Sequence, residues 1–105
     1  MDLDALRQAS GSASRLLSKL ANQDRLLILC ALVDQELNVG QLLEITGITQ
    51  PTLSQQLAVL RTEGLLQVRR EGKYMYYSLH HPDVLRIMQT LYQIYCAPQE
   101  SKHEH

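Results

Sequence analysis

Leu3, Leu6, Ala9, Ala13, Leu16, Leu17 and Leu20 recur at three- and four-residue intervals. That spacing predicts an amphipathic helix over roughly residues 3–20, weakened by Gly11 and its serines, with an apolar stripe that needs a partner surface. Asn22, a good cap residue, opens a second helix through RLLILCALVDQE, whose near-continuous apolar run predicts a core helix buried on most sides. NVGQLLEITG predicts a short third helix capped by Asn38 and stopped by Gly47, with Val39, Leu42, Leu43 and Ile45 inward. A fourth follows after a tight turn, with Thr49 as cap, Pro51 in the first turn where a missing N–H costs nothing, and Gly64 as terminator. LLQVRR and YMYYSL, joined by Glu71-Gly72, read as a β-hairpin with Arg69, Arg70 and Lys73 at its tip. Pro82 opens a last helix, DVLRIMQTLYQIYC, with Val84, Leu85, Met88, Leu91, Tyr92 and Tyr95 on a broad apolar stripe, and APQESKHEH reads as a frayed tail.

The fourth helix carries the chemistry. Leu53, Leu57 and Leu60 define its inward face, so a turn of about 100° per residue puts Pro51, Gln55 and Thr62 opposite, Thr52 beside them, and Ser54 and Arg61 on one flank. Two short helices joined by a tight turn, the second offering Gln, Thr and Ser near its start, suit entry into a DNA major groove. Gln reads adenine edges there, and hydroxyls reach bases or phosphates. A solvated helix face and ordinary edge-strand charges are the plainer reading of the same residues.

Composition narrows the classes. A chain of 105 residues with 45% hydrophobic content can bury one core and leaves little room for a second domain. No apolar run approaches the roughly 18 to 20 residues of a membrane span. The start, MDLDALRQAS, is acidic and polar where a secretory signal is basic then apolar, so the expected location is the cytoplasm. A net charge of −1 argues against general affinity for polyanions. Between Thr49 and Leu79, however, Arg61, Arg69, Arg70 and Lys73 stand against only Glu63 and Glu71, so positive charge gathers where DNA would lie. Cys30 and Cys96 are too few for a disulfide scaffold and lack the spacing of a structural zinc site. Taken singly, each reads as an inert small hydrophobe. An enzyme needs a nucleophile with a positioned base or a metal cage, and no histidine stands at an evident partner spacing.

The stretch LANQDRLLILCALVDQELNVGQLLEITGITQPTLSQQLAVLRTEGLLQVRREGKYMYYSL resembles the ArsR/SmtB family of bacterial winged-helix repressors over about three quarters of the chain. The resemblance lies in the L-A-N-x-x-R-L-x-I-L opening, the E-L-x-V-x-x-L helix, the S-Q-x-L-x-x-L-R-x-x-G-L-L recognition segment and the G-K-x-x-Y-Y-x-L wing. It implies a mainly α winged helix-turn-helix fold of five helices and a two-stranded wing in one domain, residues 1–97, followed by a flexible tail, 98–105. It also implies a homodimer joined through 1–21 and 82–96, with residues 39–79 binding double-stranded operator DNA. Carried over by position, Gln50, Thr52, Ser54 and Gln55 face bases and adjoining phosphates, and Arg69, Arg70 and Lys73 meet the backbone or minor groove. Many relatives have His where this chain has Gln56.

The resemblance also bears on the signal. Metal-sensing relatives carry thiolates in an E-L-C-V-C version of the third-helix motif, where this chain has Glu36-Leu37-Asn38-Val39-Gly40. The paired Asp and His ligands of the other common metal site are missing from the last helix. His80, His81 and Asp83 read as capping residues, His103 and His105 as solvated, and neither a metal nor a cofactor is expected. The segments LLILC and LYQIYC instead resemble the persulfide- and redox-sensing branch (BigR/SqrR/YgaV/HlyU-like). In that branch the reduced dimer holds its operator, and reactive sulfur species bridge two cysteines to release it, which makes Cys30 and Cys96 the expected sensing pair. A disulfide switch for general oxidants, an anti-repressor role and, more remotely, metal sensing remain as alternatives.

Overall fold

A computed structural model describes residues 1–96; the tail, with His103 and His105, lies outside the described residues. The elements are α1 (Leu3–Leu20), α2 (Gln23–Ala31), β1 (Leu37–Asn38), α3 (Val39–Thr46), α4 (Thr52–Thr62), β2 (Leu66–Glu71), β3 (Tyr74–Leu79) and α5 (Pro82–Tyr95). Short polar side chains start four of the helices. Asp2 accepts from the Asp4 and Ala5 amides, Asn22 from Arg25, and His81 from Val84, while Asn38 and Gln41 form a reciprocal capping box.

Ile28, Leu29, Leu32, Leu42, Leu53, Leu57, Leu60, Leu65, Val84 and Met88 form the centre of one core. The helical period is obeyed on α4, where Leu53, Leu57 and Leu60 are all buried. Two expectations of burial fail. Leu27 and Cys30 of α2 are exposed, because α3, α4 and α5 cover only part of that helix. Ile45 is 55% exposed, since Leu42 alone fills the inward position of the short α3.

The start of α4 also differs from the reading above. Thr49 does not cap it with its side chain; the chain turns through Gln50 and Pro51, the helix begins at Thr52, and the Thr49 carbonyl accepts from the Leu53 amide at 3.0 Å. Its far end is a Schellman closure, in which the Leu65 amide donates to Leu60 O at 2.9 Å and the Gly64 amide to Arg61 O at 3.0 Å. Gly64 has φ +83°, the left-handed conformation that this closure needs and that side chains resist. The closure turns the chain so that Leu65 and Leu66 enter the core and β2 begins.

The antiparallel sheet has the order β1-β3-β2. The two-residue β1, pairing Leu37 with Tyr77, adds a third strand to the expected hairpin. Glu71 still pairs with Tyr74, so the turn residues are Gly72, at φ +62°, and Lys73. Arg69 pairs with Tyr76, two ladder positions back from that turn and not at the tip. No helix among the described residues is long and apolar enough to cross a membrane.

Truncating a fully buried leucine leaves a cavity, whereas trimming an exposed isoleucine does not. Leu57→Ala is therefore expected to cost about 2–5 kcal/mol, and Ile45→Ala less than about 0.5 kcal/mol. Urea unfolding at fixed protein concentration measures both, and comparable losses would show that the assigned inward face of α3 or α4 is wrong.

Candidate nucleic-acid interface and cysteine pair

The outward side of α4 presents Ser54, Gln55, Ala58, Arg61 and Thr62 to solvent, with Thr52 half-buried at its start and Gln50 exposed in the preceding turn. Ser54 Oγ donates to Gln50 Oε1 at 2.6 Å, which holds the Gln50 side chain over the first turn. This surface is uncharged through its amino-terminal half and gains Arg61 in the last turn. Ser54, Ala58, Arg61 and Tyr77 border a shallow concavity between α4 and the wing.

Gln56 is half-buried and faces inward, where its Oε1 accepts from Arg25 Nε at 2.8 Å. A terminal nitrogen of the same guanidinium donates to Lys19 O at 3.1 Å, and Lys19 forms an ion pair with Glu63 at 3.3 Å. Arg25 thus connects the end of α1, the start of α2 and the middle of α4. The sequence reading passed over Arg25, since nothing in spacing marks which partner a long side chain will find; the unusual residue at position 56 was the one available signal.

Strand alternation separates the three wing cations. Arg69 shares a face with Glu71, Tyr74 and Tyr76, and Arg70 lies on the opposite face with Val68, Met75 and Tyr77. Arg69 forms ion pairs with Glu36 and Glu71. The hydrogen bond from Arg69 holds the Glu36 carboxyl below the usual carboxylate range, and the two glutamates in turn push the Arg69 pKa up. Among the described residues Arg61, Arg70 and Lys73 have no ion-pair partner; the Lys73 ammonium lies 5.5 Å from the centre of the Tyr74 ring. Glu36 was missed as part of this cluster because it is far from the wing in sequence and comes beside it only through β1.

Both cysteines are free thiols and both are exposed. Cys30 lies near the end of α2 with its Sγ 3.9 Å from Met88 Sδ, and Cys96 caps the end of α5, its amide donating to Tyr92 O at 2.8 Å. A cavity of about 350 Å³ opens beside Cys30, bordered by Asp34, Met88, Gln89 and Tyr92. Although Cys30 is exposed at the surface, partial burial of its thiol against α5 pushes it up, and the charge of Cys96 acts in the same direction. Tyr92, whose carbonyl accepts from the Cys96 amide, also borders the cavity beside Cys30, so the last turn of α5 lies next to that thiol. Among the described residues no group of three or more His, Cys, Asp and Glu side chains is placed to hold a metal ion.

The sequence pattern of the bacterial regulatory protein, arsR family, matches residues 22–68. The chain is 41% identical over 99 residues to the biofilm growth-associated repressor of Agrobacterium fabrum, covering 94% of this chain and 85% of that one. It is 40% identical over 100 residues to the transcriptional activator HlyU of Vibrio cholerae, covering 95% and 93% respectively. The crystal structure of the transcriptional repressor BigR from Xylella fastidiosa superimposes with a TM-score of 0.86 at 38% identity, over 93% of this chain and all of that one. The helix-turn-helix, its wing and these likenesses lead to one conclusion: the chain belongs to the ArsR family of winged-helix, DNA-binding transcriptional regulators, and not to a family of enzymes.

Proposed function

We propose that the protein is a homodimeric, sequence-specific repressor that holds operator DNA while reduced and releases it when reactive sulfur species bridge Cys30 and Cys96. The observation that supports this reading is geometric: Cys30 is a free, exposed thiol that touches Met88 of α5 and opens on a cavity bordered by Tyr92, and the Tyr92 carbonyl accepts from the amide of the other free, exposed cysteine, Cys96. On the DNA side, Gln50, Thr52, Ser54 and Gln55 supply the polar start of the recognition helix, and Arg70 and Lys73 are wing cations ready for phosphate. Exposed Leu3, Leu6 and Leu17 on α1, with Tyr92, Ile94 and Tyr95 on α5, give each protomer an apolar surface for its partner.

The chemistry balances without a cofactor. One cysteine thiolate attacks an inner sulfur of a polysulfide and displaces a shorter polysulfide, taking on a chain of two or more sulfurs; the second thiolate then attacks the sulfur next to the end of that chain and expels the terminal sulfur as hydrosulfide, so that the bridge keeps at least one added sulfur. The two cysteines are oxidised by two electrons as sulfane sulfur is reduced, and the thiol protons leave to solvent or to the sulfide. Partial burial pushes the Cys30 thiol up, which lowers its thiolate fraction at neutral pH and slows its attack on the polysulfide. The bridge acts on two elements at once. α5 carries part of the proposed dimer surface, and α2 carries Arg25, which holds Gln56 in the recognition helix. Release needs a coupling of only about 1–3 kcal/mol.

The names of the relatives differ in direction, one a repressor and one an activator, and an anti-repressor that displaces another protein from DNA would use the same surfaces. The exposed thiol pair also suits a general oxidant switch. Intact mass after polysulfide or hydrogen peroxide treatment, with free thiols capped, separates the sensors. A bridge retaining extra sulfur after polysulfide alone supports sulfur sensing, a bridge after peroxide supports the oxidant switch, and two capped thiols in both cases overturn a cysteine mechanism. Cys30→Ser and Cys96→Ser are each expected to bind operator as tightly as the reduced parent and to keep at least most of that affinity in polysulfide. Full release of either variant would disprove the two-cysteine bridge.

The raised Cys30 thiol has its own test. Alkylation of Cys30, resolved by peptide mass, is expected to have its pH midpoint above that of the same residue in urea, because the folded protein favours the protonated thiol. Cys96→Ser should lower the midpoint only part of the way, since burial is the larger cause. A midpoint at or below the unfolded one would show that the fold does not suppress the Cys30 thiolate.

A further inference from the structure

Arg69 reaches across the whole sheet. It sits on β2 opposite Tyr76 of β3, with its guanidinium carbon 5.0 Å from the centre of the Tyr76 ring. Its Nε donates to the two Glu36 carboxylate oxygens at 3.0 and 3.4 Å, one terminal nitrogen donates to Glu36 as well, and the other donates to Glu71 at 2.5 Å. Glu36 directly precedes β1, whose Leu37 pairs with Tyr77 of β3. One planar fork therefore stitches the residue entering β1 to β2 over the top of β3, a geometry that an ammonium cannot reproduce.

The charge balance of this cluster is unfavourable for DNA. Arg69, Glu36 and Glu71 together carry one net negative charge, and the Lys73 ammonium lies over the Tyr74 ring at the turn end of the same face. The opposite face holds Arg70 together with Tyr77, which borders the concavity shared with Ser54, Ala58 and Arg61 of α4. Sequence alone grouped Arg69 with Arg70 and Lys73 as cations for the DNA backbone, and the contacts divide them.

We infer that Arg69 is a positioning residue for the wing and not a phosphate contact: Glu36 and Glu71 hold it as a cross-strand clamp, while Arg70 and Lys73 supply the wing's contacts to phosphate. The inference rests on the DNA-binding reading given above. It assigns Glu36 a part in DNA binding from a position outside the helix-turn-helix surface, by fixing the angle at which the wing leaves the core.

Operator binding by the reduced, full chain over a range of salt concentrations tests this, with amide hydrogen exchange of β2 and β3 measured on the free protein. Glu36→Gln, Arg69→Ala and Arg69→Lys are each expected to weaken binding about two- to fivefold, the scale of an exposed ion pair. They should leave the slope of log K against log salt unchanged and speed exchange in the wing. Arg70→Ala is expected to leave exchange alone and to make the slope shallower by about 1, as the loss of one phosphate contact requires. If Arg69 instead abandons Glu36 for phosphate, Glu36→Gln tightens binding, Arg69→Lys retains affinity and Arg69→Ala flattens the slope; any of these overturns the clamp. Unchanged wing exchange in Glu36→Gln and Arg69→Ala overturns it independently of DNA. A parent protein with no operator affinity at any salt would overturn the DNA-binding reading and the wing's role with it, leaving the exchange data to report on the contact itself.

Discussion

Burial of Leu53, Leu57 and Leu60 is the constraint on which the arrangement of the binding surface depends. Each leucine removed from water stabilises the fold by about 1.5–3 kcal/mol, and together they fix the rotation of α4 about its own axis. With that rotation set, Gln55 must face out, Ser54 must lie on the flank, and Gln56 must turn toward Arg25. The Schellman closure at Gly64 carries the same constraint onward, because it sends Leu65 and Leu66 into the core and thereby aims the wing. Recognition helix and wing are thus oriented by one apolar cluster.

Periodicity made most of this legible. The alternation of Leu and polar residues located α1 and α4, Asn22 and Asn38 located two helix starts, and Gly64 located a helix end, since each of these signals acts over a few residues. The reading failed where a neighbour from elsewhere in the chain decides the outcome. Ile45 obeys the helical pattern, yet it stays 55% exposed; Thr49 is a good cap by type, yet the turn at Gln50 and Pro51 displaces the helix start beyond its reach. Arg69 is the clearest case. Its charge was visible in sequence, but its pairing with Glu36 depends on the two-residue strand β1, too short to leave any periodic trace.

The candidate site follows the same division. Residue types on α4 and the two cysteine segments could be read directly, because chemistry is written in side-chain identity. Whether the Cys30 thiol feels Cys96 depends on how the end of α5 packs against α2, with Met88 buried between the helices beside Cys30. No local rule supplies that packing. The family motifs supply the topology instead, and a TM-score of 0.86 to a structure at 38% identity shows how closely such motifs and backbone can go together.

A protein with net charge −1 can bind a polyanion only by distributing its charges unevenly. Here carboxylates neutralise the cation whose position in the sheet must be fixed, and the cations on the face shared with α4 and in the hairpin turn are left without ion-pair partners among the described residues. Arg69 and its two glutamates are partly exposed, so salt weakens their attraction as it does that of other surface pairs, while the paired hydrogen bonds to Glu36 and the Tyr76 ring still set the direction of the fork. On the inference that Arg70 and Lys73 carry the wing's contacts to phosphate, salt acts first on affinity, through those two cations, and less on the angle of a wing that the pairing of β1 and β2 with β3 also holds.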